Sequence, residues 1–201
     1  MIKSKNDLYS YIKADLNTFG FSKVFVPLKK KILSIVIPYI WKYEIILRKT
    51  EYYSNCREDL IGRIICNIYK IRLYKYGIKL GFSIPINTCG PGLRLCHIGT
   101  VVINPNSRIG KNARIHVGVN IGNYSKFDGN WVPTNAPIIG DNVYIGPGAK
   151  LFGSIHIGND VAIGANSVVN KDVENHVTVA GVPCRVINKS GSDNMIIKGM
   201  K

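Results

Sequence analysis

Two stretches of this sequence, residues 103–122 (INPNSRIGKNARIHVGVNIG) and residues 139–169 (IGDNVYIGPGAKLFGSIHIGNDVAIGANSVV), repeat an aliphatic residue at every sixth position. Glycine often follows this aliphatic anchor, and a small or β-branched residue stands four positions after it. Neither a helix nor a flat sheet gives a reason for this period. We therefore predict a three-sided coil of parallel strands, in which each hexad supplies one short strand and one tight bend. The anchors are Ile103, Ile109, Ile115, Ile121, Ile139, Ile145, Leu151, Ile157, Ile163 and Val169.

The region around these hexads predicts a chain of three parts. Charge thins after Gly81, so we place the coil at residues 81–189 and a C-terminal tail at residues 190–201. The hexads are interrupted at residues 123–137, where no residue looks like a buried anchor. We expect this interruption to leave the coil as an exposed loop.

The first 80 residues follow a different pattern, with apolar residues at helical spacing over residues 6–17 and 58–76. Pro27 and Pro38 lie between these two stretches and predict short, broken pieces there. We expect a small, basic cluster of helices and turns ahead of the coil.

The formal net charge is +15, and Lys and Arg outnumber Asp and Glu by 16 to 6 in residues 1–80. Such a surface attracts anions, whether lipid headgroups, nucleic acid or an acidic glycan. The longest apolar run, Ile32–Trp41, is far shorter than the ~20 residues of a spanning helix. Its tyrosine, tryptophan and neighbouring lysines suit an anionic membrane surface, although packing between helices or subunits explains them equally. We expect a cytoplasmic protein with a peripheral contact at the inner face of the membrane.

The cysteines indicate neither a disulfide framework nor a zinc site. They are five, an odd number, and none is spaced as CxxC. We therefore expect reduced thiols and no bound metal.

Three segments resemble the serine acetyltransferase branch of the hexapeptide-repeat acyltransferases, most closely its relatives in bacterial polysaccharide O-acetylation. They are Gly90–Leu93 (GPGL), Leu95–Thr100 (LCHIGT) and Ala180–Arg185 (AGVPCR), which frame the hexads. The resemblance implies a left-handed parallel β-helix with an N-terminal α-helical region. It also implies a homotrimer with active sites between subunits and acetyl-CoA as co-substrate.

The resemblance assigns the catalytic base to His97. Histidine suits this work because it exchanges protons near neutral pH. We place His116 in the same cleft, with a supporting role. The family orients its histidine with an aspartate, but residues 82–96 hold no acid, so Asn87, a backbone carbonyl or an acid from another subunit is left to orient His97.

The resemblance also predicts the acetyl-CoA site, with Lys171 and Arg185 as phosphate contacts because both bring positive charge. Backbone N–H groups beside Gly118 and Gly122 are candidates for binding the oxyanion. The complete set of expected acetyl-CoA-binding residues is Gly122, Gly146, Ala165, Lys171, Val182, Pro183 and Arg185.

The acceptor site departs from that of the serine-specific members. Cys96, Asn135 and Ala136 stand where those enzymes carry charged residues, so an amino acid would lose charged hydrogen bonds worth ~1.5–3 kcal/mol each. Our main prediction is therefore acetyl transfer to a sugar hydroxyl of a capsule, exopolysaccharide or related glycan. The alternative is serine O-acetyltransfer in cysteine biosynthesis. We expect the acceptor to be bound by Asn87, Cys96, Asp128 and Trp131.

Two further alternatives belong to other classes. A γ-type carbonic anhydrase shares the coil but needs three histidines on zinc, and only His97 and His116 are near each other in the repeat. A non-catalytic scaffold or a nucleic-acid binder would use the basic helices, yet these contain no recognisable nucleic-acid-reading motif. We therefore expect no nucleic-acid partner.

Overall fold

The computed structural model describes residues 1–19, 39–123 and 136–200. The helices of these residues are α1 (Lys5–Thr18), α2 (Tyr39–Cys56) and α3 (Leu60–Leu80). The Ser4 hydroxyl accepts a hydrogen bond from the Asp7 N–H at the start of α1, and Asp59 caps α3 in the same way. Gly81 ends α3 in the left-handed conformation, with φ of 79°.

Helices α1 and α3 correspond to the two predicted helical stretches, but α2 corrects the prediction of short, broken pieces. Pro38 directly precedes α2. Pro27 and Pro38 themselves lie outside the described residues.

The strands of the coil are mostly two or three residues long and pair in parallel with strands one coil away. Sheet 1 has the order β1-β3-β6-β9-β12, sheet 2 the order β4-β7-β10, and sheet 3 the order β2-β5-β8-β11-β13-β14. In sheet 3, β13 and β14 pair antiparallel and close the coil. The bounds are β1 (Phe82–Ser83), β2 (Arg94–Leu95), β3 (Val101–Ile103), β4 (Arg108–Ile109), β5 (Arg114–Ile115), β6 (Asn120–Gly122), β7 (Ile138–Ile139), β8 (Tyr144–Ile145), β9 (Lys150–Phe152), β10 (His156–Ile157), β11 (Ala162–Ile163), β12 (Val168–Val169), β13 (Thr178–Gly181) and β14 (Cys184–Asn188).

All ten anchors are buried inside the coil, which confirms the three-sided arrangement read from the hexads. The core also continues into the helices, because Tyr43 of α2 packs edge-on against Phe82 of β1 with ring centroids 5.1 Å apart. One hydrophobic core therefore joins the helical region to the first turns of the coil.

Most of the glycines that follow an anchor allow neighbouring coils to approach closely. A Cβ on Gly110 would lie 2.6 Å from the Gly140 carbonyl oxygen of the next coil, so glycine allows the coils to approach each other. The bends that need positive φ are instead made by residues such as Asn112 and Asn142, with φ of 58° and 56°. Asparagine tolerates this conformation better than most residues with a Cβ.

The C-terminal tail runs back along the coil to α1. The N–H groups of Gly199 and Met200 donate to Asn112 Oδ1 at 3.1 and 3.0 Å. Asn17 Nδ2 of α1 donates to the Gly199 carbonyl at 3.2 Å. The tail thus connects the coil with the helical region.

Candidate active site

One corner of the coil, where the chain leaves sheet 3, brings together several predicted site residues. Leu95, Ile115, Ile145 and Ile163 are in register on neighbouring strands. The first two residues after each of them therefore lie at the same corner of successive coils, which are roughly 4.8 Å apart. His116 and Gly146 stand one residue after their strand position, and His97 and Ala165 stand two residues after theirs.

His97 and His116 are neighbours, with ring centroids 5.8 Å apart. His97 is exposed, whereas His116 is only 8% exposed. His116 Nε2 is buried and has no hydrogen-bond partner among the described residues. Burial, with smaller contributions from Arg114 and His97, lowers the pKa of His116, so this ring is neutral at neutral pH.

The structure does not bring Asn87 to His97. The side-chain amides of Asn87 and Asn55 bond to each other at 2.8 and 3.0 Å, and the Asn87 N–H donates to Glu51. No ion pair or hydrogen bond links His97 to a carboxylate within residues 1–19, 39–123 and 136–200. An orienting acid from another subunit stays a prediction.

Arg114 is a site residue that sequence reasoning missed. Its Nε lies 3.4 Å from Cys96 Sγ, and one terminal nitrogen donates to the Met195 carbonyl at 2.8 Å. Its guanidinium lies 5.9 Å from the centre of the Tyr144 ring, which in turn contacts His116. Arg114 is a strand residue in register with Arg94, two residues before Cys96, so register alone could have placed it near the segment that holds Cys96 and His97.

A buried polar cluster holds the strand that leads to His97. Asp15 Oδ1 accepts hydrogen bonds from the N–H groups of Gly92 and Leu93 at 2.7 and 2.8 Å. Glu44 Oε1 accepts one from the Leu95 N–H at 3.1 Å. Both carboxyl groups come from the helices and are fully buried, so the helical region fixes the backbone two residues before His97.

The expected acetyl-CoA-binding residues lie in two places on the coil, except for Gly122. Gly146 and Ala165 lie on the His97 corner, and a Cβ on Gly146 would approach the Ala165 nitrogen to 2.8 Å. Exposed residues at the far end of the coil form the second group, namely Lys171, Val182, Pro183 and Arg185. Gly122 ends a strand of sheet 1, so within one chain the structure places it on a different corner from His97.

The remaining acceptor predictions are only partly described. Cys96 lies at the site beside Arg114, and Ala136 is buried. Asp128, Trp131 and Asn135, with most of the predicted loop 123–137, lie outside the described residues. The part of the chain that is described contains no group of three His, Cys, Asp or Glu residues arranged to hold a metal ion.

Comparison with known proteins places these features in a family. The description "bacterial transferase hexapeptide (six repeats)" matches residues 136–171. The serine acetyltransferase of Bacillus pumilus is 33% identical over 188 residues, covering 91% of this chain and 79% of the relative. The serine acetyltransferase of Staphylococcus xylosus is 42% identical over 170 residues, covering 82% of this chain and 72% of the relative. That of Synechococcus elongatus is 43% identical over 102 residues, which are 51% of this chain and only 40% of the relative.

Solved structures show the same likeness. Serine acetyltransferase from Brucella abortus in complex with coenzyme A superposes with a TM-score of 0.69 at 25% identity, covering 93% of this chain and 70% of that chain. Serine acetyltransferase from Neisseria gonorrhoeae superposes with a TM-score of 0.66 at 27% identity, covering 94% of this chain and 69% of that chain. These matches confirm the predicted left-handed β-helix with its N-terminal helices.

The comparisons also correct the prediction of function. The relatives and structures described above are serine acetyltransferases, and nothing in them supports a closer likeness to polysaccharide O-acetyltransferases. The prediction of glycan acetylation is therefore wrong, and the alternative is the one these findings favour. The chain belongs to the serine acetyltransferase family of hexapeptide-repeat transferases.

Proposed function

We propose that this protein transfers the acetyl group of acetyl-CoA to the hydroxyl of serine, releasing coenzyme A. The observation that carries the proposal is the His97–His116 pair at one end of a coil corner that continues through Gly146 and Ala165. Acetyl-CoA is long and narrow, and it would lie along this corner with its acetyl group at the two histidines and its phosphates near Lys171. We take serine as the acceptor because the similar proteins are serine acetyltransferases.

The chemistry follows from one exposed imidazole. His97 removes the proton from the serine hydroxyl while the oxygen attacks the thioester carbonyl carbon. The tetrahedral intermediate then collapses, the carbon–sulfur bond breaks, and the imidazolium of His97 returns the proton to the departing thiolate. The same group thus acts as base and then as acid, and the histidine is regenerated.

His116 supports this cycle as a neutral ring. Its lowered pKa keeps a second positive charge away from the imidazolium that forms on His97. Its buried Nε2, unpartnered within the described residues, is available to the acceptor or to a group from a neighbouring subunit.

Arg114 supplies the positive charge that a serine carboxylate requires. From sequence, serine was disfavoured because Cys96, Asn135 and Ala136 are uncharged. The guanidinium of Arg114, however, lies directly beside Cys96 and near His116. A planar guanidinium suits a carboxylate because it donates two parallel hydrogen bonds.

The homotrimer is part of the same proposal. Gly122 and His97 occupy different corners of one coil, and packing three prisms side by side would set the Gly122 corner of one subunit against the His97 corner of the next. Ile138 points outward from sheet 2 and is 47% exposed in the single chain. This exposed apolar residue agrees with a subunit contact on that face.

The test is a thiol-release assay with acetyl-CoA, with and without serine, together with mass detection of O-acetylserine. We expect serine-dependent release, a fall of ~10²–10⁴-fold in His97→Ala, and a smaller fall in His116→Ala. His156→Ala is the matched control, because His156 is an exposed histidine on sheet 2. Release that ignores serine, or near-normal turnover in His97→Ala, would refute the proposal.

A further inference from the structure

Helix α3 has two apolar faces, and only the face turned toward α2 and β1 is covered. Gly62, Cys66, Gly77 and Leu80 lie on the buried side. The opposite side presents apolar residues at spacings of three and four, which is one continuous helical stripe. This stripe, hereafter the isoleucine face, consists of Leu60, Ile61, Ile64, Ile68, Ile71, Tyr74 and Ile78, each more than half exposed.

Cations border the isoleucine face on both sides. At 100° per residue, Arg63 and Lys70 fall along one edge and Arg72 and Lys79 along the other, with Lys75 within the stripe. The helix contains no aspartate or glutamate. Its surface is therefore both apolar and uniformly positive.

This combination favours one partner over the others. A second copy of α3 packed face to face would bring like charges together, which is unfavourable. A nucleic acid would match the cations but not a stripe of exposed isoleucines. A bilayer with acidic headgroups matches both, because the apolar stripe enters the headgroup boundary while the flanking cations meet the phosphates.

We propose that α3 lies in the plane of an anionic membrane through the isoleucine face. No described helix is long and apolar enough to cross a membrane, and docking of this kind needs no such span. This contact differs in place from the one expected at Ile32–Trp41. Trp41 is only 9% exposed and packs against Phe19, and residues 32–38 lie outside the described part.

Docking through α3 would set the catalytic end of the coil close to the lipid. The Gly99 N–H donates to the Leu80 carbonyl at the end of α3 at 2.9 Å, so the helix end contacts the segment that follows His97. Ile98, next to His97, is 57% exposed on this segment. The proposal does not depend on which hydroxyl accepts the acetyl group.

The experiment is flotation of the full chain with two kinds of vesicle, one of phosphatidylcholine alone and one containing phosphatidylglycerol as well. We expect binding to the anionic vesicles only, and release as salt rises, because exposed charges are screened over ~10 Å at 0.1 M salt. The variant Ile64→Gln/Ile68→Gln/Ile71→Gln should lose more than about tenfold in lipid partitioning. Arg63→Gln/Lys70→Gln should lose about fivefold per cation.

Matched controls distinguish vesicle binding through the isoleucine face from nonspecific binding by other exposed residues. Tyr9→Gln/Ile187→Gln/Ile197→Gln changes three other exposed apolar residues, and Lys3→Gln/Lys189→Gln removes two other exposed cations. Both should bind like the parent, and all variants should keep the parent's circular dichroism and acetyl-CoA turnover. Absence of binding to anionic vesicles would overturn the proposal, as would full binding by the triple isoleucine variant. Binding of an RNA oligonucleotide without vesicle binding, or a change of oligomer size as the only effect of that variant, would also overturn it.

Discussion

Arg48 Nε donates to Asp15 Oδ2 at 2.7 Å, and both side chains are completely buried. The same guanidinium also bonds Glu51 and the carbonyls of Cys89 and Gly90. It therefore joins α1, α2 and the first turn of the coil through one cation. Asp15 completes the link by accepting the N–H groups of Gly92 and Leu93.

Replacing this cation should cost most of the stability of the helical region. Arg48→Met leaves the carboxylates of Asp15 and Glu51 buried without their partner, which is expected to cost about 3–5 kcal/mol. Urea unfolding followed by circular dichroism would measure the loss. The control is Arg57→Met, which breaks an exposed pair with Asp59 and should leave the unfolding curve unchanged. Equal effects of the two substitutions would contradict the assignment.

Glu44 predicts a dependence of stability on pH. Burial, and then the nearby carboxylate of Asp15, raises the pKa of Glu44 well above its ordinary value. As pH rises past that ordinary value, the unfolded chain releases this proton while the folded protein keeps it, so stability falls until the folded pKa is passed. Glu44→Gln resembles the protonated form and lacks this loss.

The expected result is that Glu44→Gln becomes more stable relative to the parent as pH rises from about 5 to 8. Free energies of unfolding at several pH values would measure this difference. The exposed Glu58→Gln is the control and should follow the parent at every pH. A difference between Glu44→Gln and the parent that stays constant with pH would show that Glu44 is ionised in the folded protein.

Ala165 tests the path of acetyl-CoA along the His97 corner. Ala165 is exposed, so Ala165→Phe should fold normally while its ring obstructs the corner. We expect the KM for acetyl-CoA to rise at least about tenfold, equivalent to ~1.4 kcal/mol of binding. His156→Phe, at an exposed residue of β10 on sheet 2, should leave the KM unchanged. An unchanged KM in Ala165→Phe would place the donor elsewhere.

The coil was predictable from sequence because its signal is periodic and local. Each hexad supplies its own anchor, and all ten anchors are buried as predicted. The helix α2 was not predictable in the same way. Pro38 was interpreted as a break, whereas the apolar and aromatic residues after it are buried by contacts with the coil, which are distant in sequence.

The site was predictable only where its residues follow strands that share a register. His97, His116, Gly146 and Ala165 meet at one corner because they follow anchors separated by whole coils. The contacts of Asp15, Arg48 and Glu44 join segments more than 30 residues apart and carry no period.

Arg114 decides whether an amino acid can be the acceptor. Arg114→Met removes the cation beside Cys96, so a serine carboxylate would lose a charged hydrogen bond worth ~1.5–3 kcal/mol. We expect kcat/KM for serine to fall by roughly 10- to 150-fold, with the KM for acetyl-CoA unchanged. The parent should also prefer serine to serinamide, which has no carboxylate, and the variant should lose this preference.

Arg108→Met, at an exposed position on sheet 2, is the control and should keep the preference for serine. A thermal melt of each variant separates a binding role from the structural bond between Arg114 and the Met195 carbonyl. If Arg114→Met still discriminates serine from serinamide as the parent does, the carboxylate is held elsewhere and the role proposed for Arg114 is wrong.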